Sequence, residues 1–189
     1  MDANAGVLLA PARQFEDTKK EASDLAGALS EQQFNWRPAP EKWSIGQCLA
    51  HLATTDKALP AIDRAITDAR TRGWLAPGPF RYGWFTRWMI SSMEPPPKRR
   101  MRTFPIFTPA DTVLSRDEVL RTLAASRDRL LQRIQAAAGL DLKRAIVVSP
   151  ASRLFRIPLG GYLAFLAAHD RRHLWQARQV SGASGFGNS

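Results

Sequence analysis

Apolar side chains recur along this chain every three or four positions, and four stretches keep that spacing long enough to predict amphipathic helices. The first covers roughly residues 8 to 29, with Leu8, Phe15, Leu25 and Leu29 among its apolar positions. Ser30 to Gln33 then offers a capping box, in which a Ser and a Gln three residues later satisfy each other's backbone N–H groups. Trp36-Arg37-Pro38-Ala39-Pro40 forces an extended path after it. Ser44 with Gln47 repeats the box and starts the second helix, whose Ile45, Cys48, Leu49, Leu52, Leu59, Ile62 and Ile66 form a wide apolar face to about Arg70. The third helix begins at Ser115 with Glu118 as reciprocal partner, carries Val119, Leu120, Leu123, Leu130, Leu131 and Ile134, and stops at Gly139. The fourth runs from about Leu159 to Val180, with Gly182 as its C-terminal stop. No segment shows a convincing period-2 strand pattern.

These elements predict an all-α fold, a four-helix bundle forming a single domain over residues 1–181, with a Gly/Ser-rich disordered tail over 182–189. The helix 2 to helix 3 connection is long, about residues 71 to 114. It can cross the length of the bundle, which makes those two helices parallel and predicts an up-down-down-up order. The connection carries Trp74, Phe80, Tyr82, Trp84, Phe85 and Trp88, and a loop of this kind is more often functional or a cap than a spacer. Residues 83 to 92 are expected to add a short helix at one end.

The chain has three histidines, and their placement carries the chemistry. His169 and His173 lie one turn apart on the fourth helix, so both project from one face; Tyr162, Leu166 and Val180 share that stripe. His51 lies on the second helix in line with Cys48, Thr55 and Leu59. At 1.5 Å per residue His51 sits roughly 9 Å into its helix, while His173 and His169 sit roughly 10 and 16 Å from the end of theirs. The levels match if the two helices are antiparallel. A core histidine is more often a hydrogen-bonded packing residue than a ligand, but three at one level would complete a three-nitrogen metal site with open positions, as expected of catalytic rather than structural sites.

Composition narrows the picture further. The single Cys48 excludes an internal disulfide, and the N-terminus has no secretory pattern, so a cytoplasmic location is expected. The longest apolar run, around Leu159 to Ala168, is too short for a membrane span. The net charge of +10 favours anionic partners without naming one. Its densest cluster, Lys98, Arg99, Arg100 and Arg102, follows Pro95-Pro96-Pro97 and reads as a solvated loop, with steering of an anionic ligand or nucleic acid as the alternative. Cys48 reads as a small buried apolar residue, the alternative being a fourth ligand, and Trp43 reads as a structural anchor at the start of the second helix. Asp56 and Asp170 are candidates to hydrogen-bond a ligating imidazole, and Arg171 and Arg172 adjoin the ligand pair.

The stretch Asn35-Trp36-Arg37-Pro38-Ala39-Pro40-Glu41-Lys42-Trp43-Ser44-Ile45-Gly46-Gln47-Cys48-Leu49-Ala50-His51-Leu52, followed by Ala168-His169-Asp170-Arg171-Arg172-His173-Leu174-Trp175-Gln176, resembles the DinB-like (YfiT-type) four-helix-bundle superfamily. The resemblance implies a divalent metal, commonly zinc or nickel, held by His51, His169 and His173. It further implies kinship with thiol S-transferases that use bacillithiol, mycothiol or glutathione, and with a mycothiol-dependent isomerase. The expected function is therefore transfer of a low-molecular-weight thiol to an electrophilic small-molecule substrate. Two alternatives stay open: a non-catalytic stress protein that binds a metal or small molecule, and a nucleic-acid-binding protein. The second is disfavoured because the basic residues are spread and no nucleic-acid motif is present. Members are often dimeric, and Trp84 to Met93 offers more apolar surface than a short cap buries, so a homodimer is expected.

Overall fold

The computed structural model of the protein describes residues 3–97, 103–109 and 112–186. It is mostly helical, with one small two-stranded sheet. The helices are α1 (Ala3–Ala26), α2 (Glu31–Asn35), α3 (Ile45–Ala53), α4 (Leu59–Thr71), α5 (Trp84–Met93), α6 (Arg116–Ala136) and α7 (Leu159–Ser181). Strands β1 (Ile146–Val148) and β2 (Arg156–Pro158) separate the last two. No helix among the described residues is long and apolar enough to cross a membrane. The basic cluster Lys98, Arg99, Arg100 and Arg102 lies outside the described residues, as do the last three residues of the tail.

Local chemistry sets the helix boundaries. Both predicted capping boxes are complete, Ser30 with Gln33 and Ser44 with Gln47. At Ser115 one arm is made: its Oγ accepts the Glu118 N–H at 3.4 Å. The first helix ends at Ala26, short of the expected Leu29, because Gly27 is a poor helix former and Ser30 must be extended (ψ 160°) to cap α2. The expected second helix is not continuous. A turn of 3-10 helix, Thr54–Ala58, divides it into α3 and α4. Pro60 cannot donate to the carbonyl four residues back, and Thr54 and Thr55 hydroxyls donate to the carbonyls of His51 (2.6 Å) and Leu52 (2.7 Å), which loosens the ladder at that point.

The strand pair is an addition to the expected all-helical chain. β1 and β2 are antiparallel, with Val147 opposite Ile157, and these two side chains are buried while their neighbours are not. Three residues are too few to display an alternation, which is why the pattern did not reveal them. The hairpin delivers the chain to the start of α7, where Leu159 N–H donates to Ala145 O at 2.8 Å and Gly160 N–H to Leu142 O at 3.1 Å. Gly160 and Gly161 leave room for the segment before and within α5. A Cβ on Gly160 would lie 2.0 Å from Tyr82 Oη, and one on Gly161 would lie 2.4 Å from Thr86 Cγ2.

α1 packs on α6 and α7, α3 packs on the same two helices, and α5 covers part of α7. The interior is two apolar clusters with a polar layer between them. One cluster includes Phe15, Ile62, Leu130, Ile157 and Leu163; the other includes Phe34, Leu49, Leu52, Leu123 and Leu174. Between Leu123 and Leu130 on α6 comes Arg127, and between Leu166 and Leu174 on α7 comes Asp170, both 0% exposed. Arg127 Nε lies 2.8 Å from Asp170 Oδ2, and its Nη2 donates to Asp170 Oδ1 (3.1 Å) and Leu52 O (2.8 Å). Its Nη1 donates to Thr55 Oγ1 at 3.0 Å, and Thr18 Oγ donates to Asp170 Oδ2 at 2.9 Å. One guanidinium thus joins α3, α6 and α7, and the carboxylate carries the connection to α1.

Removing one member of such a pair strands a buried charge, at a cost of about 3–5 kcal/mol, whereas replacing both by apolar groups is close to neutral. Asp170→Ala is therefore expected to lose about that much stability in urea unfolding followed by circular dichroism. The double variant Arg127→Met with Asp170→Leu should recover most of the loss, because Thr18 can still donate to Gln14 O and Thr55 to Leu52 O. A double variant no more stable than Asp170→Ala would contradict this account.

Candidate metal centre

His51 is in the last turn of α3, and His169 and His173 face it from the middle of α7. The structure brings all three together: one ring nitrogen from each lies within 4.8 Å of the others, a set that could hold a metal ion. The closest approach is His51 Nε2 to His169 Nε2, 3.0 Å. His51 Nδ1 is 2.7 Å from Phe107 O; a carbonyl only accepts, so this nitrogen carries the proton and Nε2 presents its lone pair to the cluster. A backbone acceptor behind a ligating imidazole fixes both tautomer and ring orientation.

The donor set fits a divalent ion. Ligand nitrogens about 2.1 Å from zinc at tetrahedral angles are about 3.4 Å apart, so the His51–His169 pair needs to spread by only tenths of an ångström. All three imidazoles are held in the neutral form that ligates. Burial pushes His169 and His173 well below the ordinary histidine value, and their neighbouring imidazoles add to the effect. His51 is lowered by burial as well, against the Phe107 hydrogen bond that raises it. His169 Nδ1 is a buried atom with no hydrogen-bond partner among the described residues.

Aromatic rings wall the cluster. Trp43 stacks on His173 (5.7 Å between centroids, 26°) and leans on His51 (5.0 Å), while Phe165 stacks on His169 (6.3 Å, 27°). Trp43 is thus more than the helix anchor expected of it. The histidines open onto a cavity of about 1280 Å³ bounded by α5, α7, the segment around Phe104 and the residues before α3.

Other expected contributors stand elsewhere. Cys48 is fully buried in the apolar cluster around Leu49, and burial pushes its thiol far up, so it is neither a fourth ligand nor a ready nucleophile. Asp170 serves Arg127 and Thr18, not an imidazole. Asp56 accepts from Ser126 (2.8 Å) and pairs with Arg129. The role expected of these carboxylates falls in part to the Phe107 carbonyl, which spacing along the chain could not reveal. Arg171 pairs with Glu94 and donates to Gln14 Oε1 at 2.9 Å, whereas Arg172 lines the cavity and donates to Ser92 O at 3.1 Å.

The family model described as the DinB superfamily matches residues 14–177, a span that contains all three histidines. The chain belongs to the DinB superfamily. Among curated proteins it is similar to the uncharacterized protein YuaE of Bacillus subtilis (strain 168), with 22% identity over 174 residues, covering 88% of this chain and 94% of that protein. No solved structure matches it significantly. For a DinB-superfamily chain with this geometry, titration with zinc, nickel or cobalt should reach one ion per chain. His51→Ala, His169→Ala and His173→Ala should each weaken binding by more than the roughly 10–100-fold typical of changes behind a ligand, with helical content kept. Undiminished binding in any one of them, by calorimetry or cobalt absorption, removes that residue from the site.

Proposed function

We propose that this chain is a metal-dependent enzyme, using zinc or nickel, that transfers a low-molecular-weight thiol to an electrophilic substrate. The observation that carries the reading is a cluster of neutral imidazoles set in the wall of a cavity large enough for reactants. Neutral ligands leave a bound divalent ion its full charge, which favours a thiolate beside it. Among the described residues, Asp56 and Asp170 are committed to other partners, and Glu41, which lines the cavity, is exposed. A thiol that coordinates a metal ion would be deprotonated outright, whereas bound water reaches a pKa of only about 7, which favours the thiol. The chain orients the reactants by enclosing them between α5 and α7. In the reaction the sulfur forms the new S–C bond, the leaving group takes the electron pair of the bond it loses, and the thiol proton passes to solvent.

We further read the fold as a four-helix bundle with up-down-down-up order, α3 and α4 acting as one bent member. The ends that meet support this. Asn35, before α3, exchanges hydrogen bonds with Leu114, before α6, and Leu75, after α4, bridges Leu140, after α6, as parallel members require. Contacts between α1 and α7 advance from Gln14 and Thr18, which meet Arg171 and Asp170, to Glu21, which meets Arg178, as members running the same way require.

The reaction is tested with metal-loaded protein, a panel of hydrophilic thiols and a reactive haloarene. Conjugate formation is expected only with both metal and thiol present, and should be lost on chelation and in His173→Ala. Full activity in that variant overturns the proposal, and tight thiol binding without turnover favours a binding protein instead. Affinity for nucleic acid should be weak and fall steeply with salt, as diffuse basic charge dictates.

A further inference from the structure

The cavity changes character along its length. It follows α7 from Tyr162 to Val180, a run of about 27 Å at 1.5 Å per residue, with the histidine pair near the middle. Toward the start of α7 its walls are Phe85, Trp88 and Met89 of α5, with Phe104, Phe155 and Phe165. Toward the end of α7 they include Glu41, Lys42, Gln176 and Gln179, set beside Trp43 and Trp175. The aromatic half is open to a ligand: Phe85 is 36%, Phe104 47% and Trp88 54% exposed, although all three face the cavity. Its rings are already stacked, Phe85 on Trp88 (5.9 Å, 27°) and Tyr162 on Phe165 (6.1 Å, 26°), and Phe165 leads directly onto His169. The floor reaches Ile157 and Leu166, 1% and 3% exposed, a depth that suits a small molecule rather than the flat surface of another protein. Single-ligand sites usually occupy roughly 300–1000 Å³, so about 1280 Å³ leaves room for two reactants.

We propose that the histidine cluster divides two subsites, an aromatic one that takes a flat, apolar electrophile and a polar one that takes the hydrophilic thiol. This rests on the thiol-transfer reading above and assigns its substrates. A small cellular thiol bears amides, carboxylates or hydroxyls, which would lose hydration without replacement against Phe85, Trp88 and Phe155. Lys42, Gln176 and Gln179 supply partners for such groups at the other end. A planar apolar body gains by covering the exposed rings and stacking on them. The arrangement puts the two reacting ends at the histidines from opposite sides.

The test is equilibrium titration of the full chain with N-phenyl-1-naphthylamine, a flat, neutral, unreactive fluorophore, and separately with glutathione on zinc-loaded protein. Trp88→Ala and Phe155→Ala should each weaken the fluorophore by roughly tenfold, with Trp88→Tyr retaining most of the affinity, while Lys42→Ala and Gln179→Ala change it by less than about twofold. Glutathione should show the reverse pattern. Fluorophore affinity that ignores Trp88 and Phe155, or falls equally with Gln179→Ala, overturns the division. Because the fluorophore does not react, the two ideas fail separately: loss of thiol turnover with the fluorophore pattern intact sinks the reaction and leaves the aromatic subsite. Turnover with an indifferent fluorophore sinks the subsites alone.

Discussion

A guanidinium with no exposed surface is the constraint around which this protein is arranged. Arg127 must find its partners inside the fold, and it finds them on every side: Asp170, Thr55 and the Leu52 carbonyl. Moving α3 or α7 by an ångström would leave one of those hydrogen bonds unmade, at the full cost of desolvation. Apolar contacts tolerate sliding; this layer does not. It fixes the relative height of α3 and α7 where those helices present their histidines to each other.

The sequence His169-Asp170-Arg171-Arg172-His173 follows from the same geometry. Successive residues on a helix point about 100° apart, so four neighbours face four directions. His169 meets His51 on α3; Asp170 meets Arg127 on α6 and Thr18 on α1; Arg171 reaches Gln14 on α1 and Glu94 beyond α5; Arg172 reaches the Ser92 carbonyl on α5. His173 completes the turn and returns to the His51 side, 4.4 Å between ring centroids. The polar run is the point from which α7 is tied to everything around it. Its charges are structural ties, which is why the pair of arginines beside the histidines is not evidence of an anion at both positions.

What was legible in the chain was whatever depends on local chemistry or on one helical period. Ser30 and Ser44 announce their helices because a cap and its partner are three residues apart, and the face shared by His169 and His173 follows from the pitch of one helix. The level of His51 could be matched by rise per residue because α3 is regular up to that point. The break after Ala53 was legible in principle from Pro60, Thr54 and Thr55, but the apolar period runs through it and masks it. Features assembled from distant segments left no such trace. Nothing near Phe107 marks its carbonyl as the acceptor for His51, and Arg127 reads as one more surface charge of α6 until its carboxylate partner, 43 residues away, is seen.

The aromatic connection shows how a stability problem and an open cavity share one solution. A helix as short as α5 buries little on its own, and here only Thr86 and Met93 are buried while Trp84 and Trp88 stand exposed. It is held by ties at one end, Glu94 and the Ser92 carbonyl to the arginines of α7, and by the fit of Tyr82 and Thr86 against Gly160 and Gly161 at the other. Fastened at both ends, the helix need not press its middle into the core. Phe85, Trp88 and Met89 can therefore line the cavity and leave apolar surface uncovered beside the histidines. A side chain larger than glycine at residue 160 or 161 would disturb this wall before it disturbed the histidine cluster, because α3 and α7 are locked separately through Arg127. The fold thus separates the element that shapes the cavity from the elements that hold the imidazoles. Substitutions on α5 can reshape the cavity without moving the histidines.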